Sequence, residues 1–164
     1  MDSMFPNLVR DHQDRVFSTA WRLTGNRAEA EDAAQDTFVQ AYRALSDWPP
    51  KRLAELNPGP WLATIVLNVC RNRVRTRGRR PVTVPIDRDH AANDEGESEW
   101  AHLVDGLAPR YRTPIVLRHI AGLSCEEVAD VLRLPVGTVK AQISRGLAQL
   151  RAAQSSTEKE PIDV

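Results

Sequence analysis

The sequence predicts an all-α protein built as two small helical domains joined by a flexible acidic linker. Three observations carry that expectation. Apolar residues recur at three- and four-residue spacing through most of both halves, and alternating strand-like runs are hard to find. Charge is segregated along the chain rather than mixed. A polar stretch without periodicity separates the two periodic halves. Of 164 residues 41% are hydrophobic and 27% charged, but aromatics make up only 5% and there are 11 prolines. One or two small domains with modest cores fit those proportions.

In the first helix Val9, Val16, Ala20 and Leu23 form one stripe, flanked by Phe17 and Trp21, and Gly25 is a natural C-terminal stop. Asn26 with Glu29 caps a second helix running to about Leu45. Its apolar face is Ala30, Ala34, Phe38, Ala41 and Leu45, while Glu29, Glu31, Asp32 and Asp36 take exposed sides. Acids in a first turn suit the helix dipole, which accounts for Glu29 and Glu31 better than for Asp36. From Ser46 to Pro60 the density of prolines forbids a continuous helix. A third long helix restarts at Pro60 or Trp61 on Trp61, Ile65 and Val69, with Leu62 and Val66 less central, and ends near Gly78 and Pro81.

Residues from about Arg79 to Ser98 read as a tether, extending to roughly 65 Å at most and averaging about 25 Å as a coil. In the second half, Leu123 to Arg145 reads as helix, tight turn, helix, the arrangement that seats a helix in the DNA major groove. Ser124 with Glu127 is a capping-box start, and Val128 with Leu132 gives the short helix its buried face. Pro135 and Gly137 supply break and restart. Val139, Ile143, Leu147 and Leu150 then share one side, while Ala141, Ser144, Arg145 and Ala148 point away with Thr138 nearby and Lys140 and Gln142 on the flanks.

Formal net charge is zero, yet six arginines and no acid lie between Arg71 and Arg80, and six acids face one arginine between Asp87 and Glu99. Between Val136 and Gln154 stand three basic residues and no acid. Segregation of this kind suggests separate surfaces for separate partners.

The layout resembles the extracytoplasmic-function (ECF) sigma factors, the two-domain promoter-specificity subunits of bacterial RNA polymerase. The anchors are Ala30 to Phe38, Trp61 to Asn68 and Gly122 to Arg145, in that order. The resemblance implies sigma region 2 over residues 1–78, the linker over 79–98 and sigma region 4 over 99–153; the short polar tail over 154–164 reads as disordered. It implies that Asp32, Gln35, Asp36 and Phe38 dock on the clamp helices of the polymerase largest subunit. It implies that Lys51, Arg52, Trp61, Asn68, Arg71 and Arg75 engage the minus-10 element, where duplex is melted and a base trapped. Trp61 reads first as a core residue. Thr138, Lys140, Ala141, Ser144 and Arg145 would meet the minus-35 duplex, with Arg145 placed for guanine and Thr138 for a phosphate. Partners implied are polymerase core, promoter DNA and an anti-sigma factor.

The sequence departs from the family's pattern in places. Thr64 and Leu67 replace basic residues common in relatives, Ala141, Gln142 and Ser144 replace a commoner Ser, Arg and His, and Pro114 predicts a kink or late start in its helix. The promoter sequence is therefore not predicted. One alternative is a free-standing helix-turn-helix regulator, which would leave the acidic and arginine-ended helices without a purpose. A nucleic-acid enzyme finds no metal-ligand cluster, phosphate-cradling glycine loop or nucleophile–base pair, and His12, His90, His102 and His119 are scattered. No cofactor or metal, no membrane insertion and a cytosolic location are expected. Cys70 and Cys125 read as small buried hydrophobes, with a redox link between the halves as the alternative.

Overall fold

The computed structural model describes residues 3–77 and 103–158, so the predicted tether and the start of the second half lie outside the described residues. Among the described residues every regular element is a helix: α1 (Met4–Thr24), α2 (Arg27–Ser46), α3 (Pro50–Ala54), α4 (Pro58–Arg77), α5 (Pro109–His119), α6 (Cys125–Leu132) and α7 (Val136–Glu158).

Local chemistry sets most of the boundaries. Gly25 takes the left-handed conformation (φ 69°) and donates its N–H to the Trp21 carbonyl at 2.7 Å, closing α1 as a side chain there would not do without strain. Asn26 Oδ1 accepts from the Glu29 N–H at 3.1 Å and opens α2. In α6 the capping box is complete: Ser124 Oγ accepts from the Glu127 N–H at 3.1 Å, and Glu127 accepts in return from the Ser124 N–H at 3.0 Å.

Four boundaries differ from expectation. The proline-rich stretch is not wholly irregular, because Pro50 opens the short α3 at its first position. Likewise α4 begins at Pro58, two residues early, since prolines in a first turn give up only N–H groups that would lack helical partners anyway. Helix α5 runs through Pro114 from Pro109 to His119, with the Pro114 ring fully buried. The expected tail from 154 is helical as far as Glu158, where Ser156 Oγ bonds the Ala152 carbonyl at 3.0 Å; Ala152 and Ala153 are strong helix formers and no breaker follows them there.

Two buried clusters hold these helices. The first joins Leu8, Val16, Ala20, Ala30, Ala33, Ala41, Leu45, Leu62, Val66, Val69 and Cys70 from α1, α2 and α4. The second joins Val104, Ile115, Val116, Leu117, Leu123, Val128, Val139, Ile143 and Leu150, together with Ala63 and Leu67 of α4. Helix α4 therefore buries two faces, Leu62, Val66 and Val69 toward the first cluster and Ala63 and Leu67 toward the second; of the expected stripe Val69 is buried, but Trp61 and Ile65 are only half-buried while Leu62 and Val66 take the centre. In α1 Leu8 rather than Val9 is buried, and in α2 Ala33 and Thr37 are buried while Ala34, Phe38 and Glu29 are half-buried.

The halves are also linked by polar contacts. Arg22, 6% exposed, reaches Asp105 at 3.5 Å. The side-chain amide of Asn57 donates to Glu127 at 3.4 Å.

Candidate nucleic-acid interface

Helix α7 divides between a packed side and an open one. Val139 and Ile143 are buried, Leu147 half-buried and Leu150 buried, so the α5–α6 platform grips one side. Thr138, Lys140, Ala141, Ser144 and Arg145 are all exposed on the other. The turn before it is made by Arg133 in the left-handed conformation (φ 55°), a residue the sequence did not single out, rather than by Pro135 and Gly137 alone. The exposed face carries Lys140 and Arg145 with no acid from Val136 to Gln154, the charge pattern a phosphate-lined groove attracts.

On α4 the candidates Trp61, Asn68, Arg71 and Arg75 fall at three- and four-residue spacing with Thr64, so they form one continuous helix face. The face begins at a pocket of about 440 Å³ lined by Trp48, Arg52, Glu55, Asn57, Trp61 and Thr64, among others. There Trp48 and Trp61 meet at 5.1 Å between ring centres, and the Arg52 guanidinium lies 3.8 Å over the Trp48 ring. Lys51 stands exposed beside Arg52 on α3. Trp48, an aromatic partner that sequence reasoning passed over, follows the end of α2 with its N–H donating to the Leu45 carbonyl at 3.3 Å. The face ends in a cleft of about 570 Å³ between the halves, lined by Arg71, Arg75, Arg110 and Arg112 together with apolar residues that include Leu67, Val74 and Leu134.

The third candidate surface is on α2. Asp32, Gln35 and Asp36 are exposed, while Phe38 is half-buried against the first core and only partly available to a partner. The acids are not bare. Arg73 of α4 pairs with Asp36 at 2.5 Å and with Asp32 at 4.0 Å. Next to them Val39 and Tyr42 are 47% and 51% exposed, with Phe5 edge-on to Tyr42 at 5.1 Å between ring centres. Two apolar residues at positions a buried stripe does not need were the available signal for this patch.

Burial pushes the Cys70 thiol up to about 11, against a smaller opposing pull from Arg73. Cys125 is half-buried, and both cysteines are free. His119 is lowered by burial and then by Arg118. No group of metal-ligating side chains occurs among the described residues, and no helix among them is long and apolar enough to cross a membrane.

A helix-turn-helix module with an open basic face, joined to a module with an acidic face and an aromatic pocket, is the layout of a two-module DNA-binding protein. Residues 8–80 match the family model "Sigma-70 region 2", and residues 98–150 match "Sigma-70, region 4". The chain is 31% identical over 170 residues to the ECF RNA polymerase sigma factor SigW of Bacillus subtilis, covering 90% of this chain and 87% of that one. It is 37% identical over 156 residues to the ECF RNA polymerase sigma factor SigE of Mycolicibacterium smegmatis, covering 88% of this chain but 59% of that longer relative. Among solved structures it resembles CnrH in complex with the cytosolic domain of CnrY, with a TM-score of 0.69 and 28% identity over 95% of this chain and 90% of that one. The sigma factor RpoE in complex with the anti-sigma factor NepR from Bartonella quintana shares the fold, with a TM-score of 0.72 and 22% identity over 96% of this chain and 98% of that one. The chain belongs to the ECF RNA polymerase sigma factors. A match over residues 8–80 as well as over the helix-turn-helix sets aside the free-standing regulator.

Proposed function

We propose that this chain is a promoter-specificity subunit: it docks on polymerase core through α2, reads minus-35 duplex through α7 and holds the opened minus-10 strand along α3 and α4. It acts in the cytoplasm and is not itself an enzyme; it supplies position, and the polymerase supplies the chemistry. The observation that carries the reading is the pairing, on one chain, of an acid-free basic reading face with a separate acidic and apolar face on a rigid helix.

Each residue has a stated task. Arg145 offers a bidentate fork to a guanine edge, worth about 1–3 kcal/mol of discrimination. Lys140 and Thr138 hold nearby phosphates, and Ala141 and Ser144 are small enough to let the helix settle against base edges. Trp61 and Trp48 provide ring faces for an unstacked base, Lys51 and Arg52 flank it, and Asn68, Arg71 and Arg75 continue the strand's path along α4. Asp32, Gln35 and Asp36, beside Val39 and Tyr42, meet a basic surface of core, with Phe38 supporting them from behind. An anti-sigma partner is part of this reading, supported by relatives solved in complex with other proteins.

The test is run-off transcription with polymerase core over a promoter library. Wild type should direct initiation from a defined pair of elements. Lys140→Ala and Arg145→Ala should impair initiation from that promoter and leave core binding unchanged. Loss of core binding in those variants, or no initiation by wild type with core and no inhibitor, refutes the reading.

A further inference from the structure

The arginines at the end of α4 do not form one surface. Arg71 and Arg75 stand exposed on the face assigned to the opened strand. Arg73, two residues from each, lies about 200° round the helix from both and turns toward α2. Its guanidinium bridges the two acids of the docking face with different nitrogens. Nη2 reaches Asp36 Oδ2 at 2.5 Å, and Nη1 reaches Asp32 Oδ2 at 4.0 Å. Both pairs use Oδ2, and among the described residues no hydrogen bond or ion pair takes up either Oδ1.

As a device for stability this bridge is poorly made. Asp32 and Asp36 are both more than half exposed, where an ion pair contributes little. Meanwhile the Arg73 Nε is buried with no hydrogen-bond partner, which costs stability. As a device for holding a surface it is well made. Carboxylates one helical turn apart repel each other, and a guanidinium between them removes that repulsion and restrains both side chains. The supports are rigid. Ala33 and Thr37, next in sequence to the two acids, are fully buried, and Val69 and Cys70, in the turn of α4 before Arg73, are buried too.

We propose that Arg73 is a positioning residue for polymerase docking: it pins Asp32 and Asp36 by one oxygen each and leaves the other oxygen of each carboxylate to basic side chains of core. The inference rests on the docking role given above to α2. Its kinetic signature is particular. Removing Arg73 leaves the face one charge more negative, which speeds encounter with a basic partner. It also frees two side chains that must then be ordered on binding, and that loss falls in koff. An arginine that merely occupied the acids would, once removed, give slower dissociation and tighter binding.

The experiment follows binding of the full chain to purified RNA polymerase core by biolayer interferometry, at low and at physiological salt. Arg73→Ala should raise koff about five- to ten-fold, with kon equal to wild type or up to about two-fold faster at low salt. Arg73→Lys keeps the charge and the long stem, but a single ammonium cannot span both acids as a fork does, so its koff should be intermediate and its kon that of wild type. In an Asp32→Asn/Asp36→Asn background, Arg73→Ala should change koff by less than about two-fold, because nothing remains to be pinned. Urea midpoints of all the variants separate these effects from loss of fold. Unchanged or slower dissociation of both Arg73→Ala and Arg73→Lys overturns the proposal, as does a rise in koff that persists in full in the Asp32→Asn/Asp36→Asn background. If the Asp32→Asn/Asp36→Asn chain binds core as wild type does, the docking role of α2 falls. If that chain binds more weakly while Arg73→Ala dissociates at the wild-type rate, this inference alone falls.

Discussion

Gly146 is where α5 crosses the middle of α7, and replacing it by alanine sets two opposite effects against each other. In an ordinary helix interior the change stabilises by about 0.5–1 kcal/mol, because glycine loses more backbone entropy on folding. Here the added Cβ would sit 2.4 Å from Ile115 Cδ1 and 3.2 Å from Tyr111 Cβ. Ile115 is fully buried, so its Cδ1 can turn away only against packed neighbours, and a Tyr Cβ moves only with its backbone. Overpacking of this kind costs about 1–3 kcal/mol, so the penalty wins and Gly146→Ala should lose about 1 kcal/mol net. A loss of that size lowers Tm by about 2–4 °C in a chain of this length.

Ile115→Val removes the clashing methyl and by itself costs about 0.5–1.5 kcal/mol. In that background Gly146→Ala should become neutral or stabilising, a coupling of about 1 kcal/mol or more. Urea unfolding of the four proteins followed by circular dichroism measures the cycle. Stabilisation by Gly146→Ala alone, or a loss that survives Ile115→Val, would refute the steric argument.

Ser124→Ala should cost about 1 kcal/mol by removing the acceptor for the Glu127 N–H, with Ser124→Asp restoring most of it, as read from urea midpoints. Asp36→Arg should weaken binding to polymerase core, most visibly at low salt, while changing stability by no more than about 1 kcal/mol because its pair with Arg73 is a surface one. Equal core affinity at every salt concentration would remove Asp36 from the docking face. With the Cys70 thiol raised from 9.0 to about 11, the folded state disfavours its ionised form, so this contribution to stability is present below pH 9.0 and is lost as pH rises toward about 11. Cys70→Ala should flatten that alkaline loss, and alkylation of Cys70 should follow global unfolding; rapid labelling of the native chain at pH 8 would contradict its burial.

What the amino-acid order determined by itself lies within one helical turn. The Ser124–Glu127 box, the Asn26 cap, the Gly25 stop and the split of α7 into a Val139–Ile143–Leu150 side and a Lys140–Ser144–Arg145 side all depend on residues three or four apart, and all were legible. So was the family, because three such local patterns in fixed order are a dense signal. Tertiary structure decided the rest. Helix α4 has two buried faces because a second core presses on Ala63 and Leu67, and no single-helix periodicity announces a second neighbour. Arg22 is buried because Asp105 meets it from 83 positions away, and Asp36 is paired because α4 carries Arg73 past α2. Which face α6 covers is likewise a matter of packing between distant segments, where burial and charge are settled by what arrives across space rather than by what precedes along the chain.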